Sequence, residues 1–553
     1  MSEHNDKLLI KPSINIQVSN GSQTNKKNEN YELEEISTLV PQNEPITPMK
    51  EINKAYEVCK FGRFHVKLLF VSFFGVLASI LVTNTTSYLL PIAECDLNMN
   101  LKQKGLLNAM PYFGMFISTV IAGFLIDTFG RIYFLRIGFG GIFLCTLFSA
   151  SSQTYEMLAA AKLCEGILFA TSLAAISCLT SEFCHSSVRD RVMLCQSSYA
   201  AIAQILCPAM AWGILIQNWK ASFFDGRFVL NIWNFYLLAM SLWSLTAFLL
   251  YSTILPESPK YLVTQKRYVE ARNILIKIYS ENSGKPADTF PYPNIFEKEI
   301  KEVDSQKADD GDTKVKFRDK IMTGLRNMKP LTRRPLCGYV ALIALSQSIT
   351  LGTHNVIRLW FPQLSTIVEH YNLDANHNLC DLLDTYTGSL KIKSASNATS
   401  AVCVPHVTGT ETYINSIIIG LVCLLPYFIS GVVVNKVGKK VLLFIGGVLS
   451  ASTLLGLRWS NSKTMMVAFF STNIAVTQTI KSLVQVVLID VIPTSMRTLA
   501  LSLVMIAARV GTLVSNVTFP ILLAMGCSIP FYLMAAMMSF VVLLTIFLPK
   551  KKE

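Results

Sequence analysis

The sequence predicts an all-α membrane protein of about twelve transmembrane helices, arranged as two pseudo-symmetric six-helix bundles. Three observations predict it: a series of long uncharged apolar runs, basic residues in every second connecting loop, and a motif set repeated at constant spacing. Of the 553 residues, 51% are hydrophobic and only 15% are charged, with a mean hydropathy of +0.42. That leaves too little charge to wet the surface of a soluble chain of this length. About 20 apolar residues, at 1.5 Å rise each, cross a hydrocarbon core of about 30 Å. Such runs recur between Leu68 and Leu548. Lipid cannot satisfy open backbone groups, so helices are expected and strands are not.

Residues 1–64 are polar and rich in Asn, Lys, Glu and Ser, which predicts a largely disordered cytoplasmic tail with a short amphipathic helix near Ile52 to Cys59. No cleavable signal is evident, so the first membrane helix is expected to act as a signal anchor. The first bundle is expected over 65–255, a cytoplasmic linker with short helices over 256–335, and the second bundle over 336–548. Residues 363–411 form a luminal or extracellular loop in this reading, and 549–553 a cytoplasmic tail. Basic residues gather at Arg131 and Arg136, at Arg189 and Arg191, from Lys260 to Arg334, at Lys436 to Lys440, at Arg497 and at Lys550 to Lys552. This is the positive-inside pattern, and it places both termini in the cytoplasm. It also disposes of nucleic acid as the reason for the net charge of +13, because the charges are spread over many loops rather than one face.

The duplication is explicit. Gly123-Phe-Leu-Ile-Asp127-Thr-Phe-Gly130-Arg131 reads like Gly431-Val-Val-Val-Asn435-Lys-Val-Gly438-Lys439, at an offset of 431 − 123 = 308. Glu182 precedes Arg189 by seven residues as Asp490 precedes Arg497, and 490 − 182 is again 308. Parallel repeats of this kind put a solute pathway between the halves. Upstream, Leu90-Pro91 and Phe361-Pro362 are offset by 362 − 91 = 271, so the loop after helix 7 carries 308 − 271 = 37 extra residues. Gly123 permits close helix approach. Asp127 and Arg131 are within pairing reach. With Glu182–Arg189 and Asp490–Arg497 they are expected to form a gating latch, the plainer alternative being a tight turn with positive-inside anchoring.

These residues resemble the major facilitator superfamily from about Phe61 to Leu548. Gly123, Asp127, Gly130 and Arg131 look like its loop 2–3 signature, with Ile132 where a second basic residue is usual. Pro256-Glu257-Ser258-Pro259-Lys260-Tyr261-Leu262 matches the segment after helix 6 in its sugar-porter and organic-ion branches. Phe61-Gly62-Arg63-Phe64, Lys104-Gly105-Leu106-Leu107-Asn108 and Trp360-Phe361-Pro362 narrow the likeness to synaptic vesicle glycoprotein 2 and its relatives, as does the enlarged loop after helix 7. The resemblance implies alternating access and adds Glu257 to the gating set.

Ionisable residues within the hydrocarbon are functional suspects by default. Lys162 and Glu165 lie three apart on one face of helix 4, followed by Gly166. They are candidates for solute binding or proton exchange, or else a self-satisfied pair kept for packing. Lys481 and Arg509 are mid-span cations, and Arg358 sits near the outer end of helix 7, where it could snorkel. Four cations against one carboxylate favour an anionic solute, while Asn84, Gln347, His354, Asn355, Asn473, Gln478 and Gln485 could hydrogen-bond a sugar-like one. A lone histidine such as His354 is more often structural than functional. Helix 1, read as ending at Pro91, carries no Asp or Glu, with Ser79 and Val82 where the resembled relatives carry acids, which weighs against proton or cation coupling there.

Nucleotide loops, paired metal-ligand motifs and nucleophile elbows are missing, so neither an enzyme nor a cofactor or metal is expected. The reading is a secondary transporter for a small organic anion or sugar-like solute, in the bilayer of a vesicle or plasma membrane. The alternative is a transport-silent membrane regulator or receptor, meeting protein partners through its N-terminal tail or outer loop. In that loop Cys380 and Cys403 are expected to form a disulfide, and Asn397-Ala398-Thr399 is a glycosylation sequon on the outer side.

Overall fold

The structure, a computed structural model, describes residues 48–306, 336–371, 378–395, 409–425, 437–492 and 497–547. Six long helices form the first bundle: α2 (Arg63–Asp96), α3 (Leu101–Phe129), α4 (Arg131–Ala150), α5 (Tyr155–Glu182), α6 (Ser186–Leu215) and α7 (Ile232–Thr253). A short helix, α1 (Pro48–Cys59), precedes them, and a two-stranded hairpin (Ala221–Phe223 with Phe228–Leu230) joins α6 to α7. Three short helices follow: α8 (Pro259–Thr264), α9 (Tyr268–Ser283) and α10 (Glu297–Gln306). The second bundle holds α11 (Leu336–Tyr371), α13 (Thr410–Val422), α14 (Lys439–Gly456), α15 (Lys463–Val491), α16 (Arg497–Met525) and α17 (Ser528–Ile546). Between α11 and α13 lies α12 (Leu379–Ala395). Among the described residues, nine helices are long and apolar enough to cross a membrane.

Local chemistry starts and bends these helices. The Asn100 side chain accepts the Gln103 N–H while Gln103 returns a bond to the Asn100 N–H, a reciprocal cap on α3. Thr154 caps α5 through the Met157 N–H. Pro91, Pro111, Pro208, Pro362 and Pro520 sit inside helices, as packed membrane bundles tolerate. Small residues let helices touch: a Cβ on Gly166 would fall 2.1 Å from the Pro111 carbonyl oxygen, and one on Gly114 2.2 Å from that of Leu163. α3 and α5 therefore meet backbone to backbone.

On the face that carries α1, the short helices share one apolar core with the first bundle through Ile52, Tyr56, Leu262, Leu275 and Ile278. Asn282 on α9 holds the junction. Its amide donates to the carbonyls of Cys59 and Lys60, and its oxygen accepts the Phe64 N–H at 2.9 Å.

On the opposite face, α12 lies across the ends of the bundles, and here the expected Cys380–Cys403 disulfide is corrected. Cys380 is bonded to Cys527 in the turn between α16 and α17, with Cα atoms 5.2 Å apart. The cause is the path of α12: the Leu379 N–H donates to Ser460 C=O, and Asp384 accepts the Cys527 N–H. These bonds press the start of α12 against the second bundle rather than leaving it in a free loop. Cys95, at the end of α2, is also disulfide-bonded. Cys403 and Asn397 lie outside the described residues.

Candidate solute site and gating pairs

The repeated motif builds the same ion pair twice. Arg131, opening α4, donates from Nε and Nη2 to Glu182 Oε1 at 3.1 and 2.9 Å, and Lys439, opening α14, pairs with Asp490. The offsets, 439 − 131 and 490 − 182, are both 308. Gly130 and Gly438, again 308 apart, both turn with positive φ (102° and 88°), a conformation open to glycine at little cost. The described partner of Glu182 is therefore Arg131 rather than Arg189, and both pairs lie within a bundle rather than across the two. The reason is geometric: the tight glycine turn brings the first residue of the next helix back over the end of its neighbour. Gly123 and Asp127 sit on the last turns of α3 and Arg497 opens α16, but their side chains, and Gly431 altogether, fall outside what is described.

Glu257 completes the first copy. Its carboxylate accepts the N–H groups of Arg131, Ile132 and Ser258 at 3.0–3.1 Å, which places a negative charge on the N-terminus of α4. Burial raises its pKa, against the lowering pull of those donors and of Arg131. The Arg131 guanidinium also lies 4.9 Å from the centre of the Tyr261 ring.

Lys162 and Glu165 are fully buried and bonded to each other at 2.8 Å. Glu165 also accepts from Ser149 Oγ on α4, and Lys162 donates to Thr85 Oγ1 on α2. The symmetry mate of Glu165 is Asn473, since 473 − 165 = 308. Asn473 is buried too, and it ties α15 to Ser450 and Thr453 of α14. Both residues thus bolt a helix to its predecessor, one as an acid and one as an amide.

Between the bundles lies a cavity whose polar wall is Asn84, Ser87 and Tyr88 of α2, Gln204 of α6, Arg358 of α11 and Ser416 of α13. It leaves about 30 Å³, room for water rather than for an organic solute. Arg358 donates from Nη2 to Tyr112 Oη of α3 at 3.3 Å and to Asn355 Oδ1 at 3.2 Å, and its Nε is buried without a partner. Among the described residues no carboxylate pairs with Arg358, Lys481 or Arg509. Lys481 donates to Gln478 and Arg509 to the Met115 carbonyl.

The remaining candidates do not line this cavity: His354 and Asn355 are buried and Gln485 is half-buried. His354 bonds Thr477, Asn355 donates to Thr512, and Gln485 donates to the Met505 sulfur. Ser87, Tyr88, Gln204 and Ser416 were not singled out in the sequence. One signal could have found Ser87 and raised Arg358: the 271 offset of helices 1 and 7 pairs Ser87 with Arg358 and Asn84 with Asn355.

Comparison with known proteins agrees with this architecture. Human synaptic vesicle glycoprotein 2A is 26% identical over 254 residues, covering 44% of this chain and 34% of the relative. Rat synaptic vesicle glycoprotein 2B is 26% identical over 240 residues, 43% and 35% of the two chains. The matched stretch therefore spans about a third of these relatives. The inward-open conformation of the xylose transporter XylE from E. coli superposes over 88% of this chain and 97% of its own, with a TM-score of 0.62 at 16% identity. Its partially occluded inward-open form gives 0.60 at 15% identity, over 88% and 100% of the chains. The family model described as Major Facilitator Superfamily matches residues 72–390 and 405–553, and the chain belongs to that superfamily of membrane transporters.

Proposed function

We propose that this protein is a secondary transporter that moves a small organic anion across a membrane by alternating access. One observation carries the choice of an anion: Arg358 faces the cavity between the bundles with only neutral hydrogen-bond partners. A half-buried guanidinium in a membrane bundle, its Nε fully enclosed and without a counter-ion, is costly unless an anion visits it. Asn84, Ser87, Gln204 and Ser416 supply hydrogen bonds for the rest of the solute. Lys162 and Glu165 act in this reading as a structural bolt rather than as solute contacts, since each satisfies the other and neither lines the cavity. The alternating basic loops support cytoplasmic termini in a vesicle or plasma membrane.

Uptake into sealed proteoliposomes tests this, with labelled carboxylates and sulfate or phosphate esters set against sugars. Saturable uptake of at least one anion is expected. Arg358→Gln should lower kcat/KM about 10- to 100-fold, the worth of a charge-assisted hydrogen bond or two, and Arg358→Lys should lower it less. Sugar uptake indifferent to Arg358→Gln would replace the anion with a neutral solute. Folded protein that carries no member of the panel would favour a transport-silent regulator.

A further inference from the structure

Three elements meet at the face opposite α1. Lys104, near the start of α3, is completely buried, and its ammonium lies 2.5 Å from Glu94 Oε2 near the end of α2. Both belong to the first bundle. The third member comes from the second: Tyr386 on α12, 1% exposed, accepts from Lys104 Nζ at 3.3 Å, and its hydroxyl lies 3.5 Å from Glu94 Oε1. A buried lysine–carboxylate pair is thus completed by a hydroxyl from the other half of the molecule.

The attachment of α12 is unequal. Toward the second bundle it has the Cys380–Cys527 disulfide, the bond from the Cys527 N–H to Asp384 and the bond from the Leu379 N–H to Ser460 C=O. These reach the turns before α15 and before α17, so the start of α12 is covalently part of the second bundle. Among the described contacts, what it offers the first bundle is the Tyr386 hydroxyl. Close packing surrounds this contact: a Cβ on Gly105 would meet the Asn516 carbonyl oxygen at 2.8 Å, and the Tyr88 and Tyr413 rings stack with centroids 6.4 Å apart. The bundles are closed together on this face.

We propose that α12 is a strap that rides with the second bundle and latches this face shut through Tyr386 on the Glu94–Lys104 pair. The disulfide makes the strap move as one body with α16 and α17, so separation of the halves on this side must part Tyr386 from Glu94 and Lys104. The latch is polar at its centre and can therefore part and re-form: Lys104 and Glu94 keep each other when Tyr386 leaves, and no buried charge is stranded. The proposal rests on alternating access, but its test needs no solute.

The test uses full-length protein in sealed vesicles of one orientation. A membrane-impermeant thiol reagent is added on the α12 side, and labelling of Ser416→Cys in the cavity is read at that site by mass spectrometry. Tyr386→Phe, which removes only the hydroxyl, should speed labelling about three- to tenfold, the range for loss of one or two modest hydrogen bonds. Cys380→Ser with Cys527→Ser, which frees the strap from its bundle, should also speed it. Thr385→Ala, on the exposed side of the same helix, should not. Labelling in Tyr386→Phe equal to that of the Ser416→Cys parent, with the disulfide intact, overturns the latch. Faster labelling together with no anion uptake by the wild-type protein would uphold the latch while the transport reading failed; anion uptake by the wild-type protein with unchanged labelling would do the reverse.

Discussion

The two copies of the repeated motif make the same ion pair but bury it differently. Arg131 and Glu182 are 9% and 15% exposed, whereas Lys439 and Asp490 are 32% and 34% exposed. The difference comes from what covers the first pair: the Glu257 carboxylate on the Arg131 N–H and the Tyr261 ring beside its guanidinium. A duplicated bundle keeps its paired charges through its own turns. The dielectric around the first pair is set by the segment that follows α7. The first bundle, with α1 and α8–α10 attached, is expected to be the stiffer half on this face.

The buried polar groups of α5 and α15 give the largest test of how far the copies are interchangeable. Glu165→Leu strands Lys162 in the bundle and should cost about 3–5 kcal/mol. The loss would appear as folded, monodisperse protein disappearing at much lower temperature. Lys162→Met with Glu165→Asn copies the neutral chemistry at Asn473 and should stay within about 1 kcal/mol of wild type, with transport retained. A double variant that folds normally but has lost proton-driven uptake would make Glu165 a coupling group instead.

The ion pairs come next. Arg131→Ala should cost about 2–4 kcal/mol, since it strands Glu182 in a largely buried site. Lys439→Ala should cost about 0–1 kcal/mol, as partly exposed pairs do. Equal losses of thermal stability in the two variants would remove the difference argued above.

The smallest contrast is at the glycines. Alanine at Gly438 meets no atom within 4 Å and pays only for its positive φ, about 1–2 kcal/mol. At Gly130 the added Cβ would also fall 2.6 Å from a Glu257 carboxylate oxygen. Gly130→Ala should therefore be worse than Gly438→Ala by about 1 kcal/mol, the worth of a disturbed cap. Combining it with Glu257→Ala should narrow that gap, and a gap that stays the same would mean that Glu257 is not what the new methyl meets.

Much of this architecture was legible without coordinates. The 308 offset located both copies of the motif, and the structure shows the same offset joining Arg131–Glu182 to Lys439–Asp490. Glu257 was legible through its seven-residue motif, although its chemistry, a carboxylate on three N–H groups, was not. The site was legible only in part. Arg358 stood out as a cation but could equally have snorkelled, and Gln204 and Ser416 looked like ordinary polar residues of membrane helices. The disulfide was expected with Cys403, the nearer cysteine in sequence, whereas the fold bonds Cys380 to Cys527, 147 residues away along the chain.

The sequence by itself determined the helices, their order and their duplication, because hydrocarbon thickness and backbone hydrogen bonding leave one solution for apolar runs of this length. It determined the positions of the tight turns as well, since Gly130 and Gly438 are where the chain must take positive φ. Only the tertiary structure decided which acid meets which base, which cysteine meets Cys380, and which polar side chains face the space between the bundles. The physical reason is that many of these helices are apolar nearly all round, so no stripe in the sequence marks the buried face. Their rotation is set by close backbone contacts, such as Gly166 on Pro111, made between segments far apart in the chain.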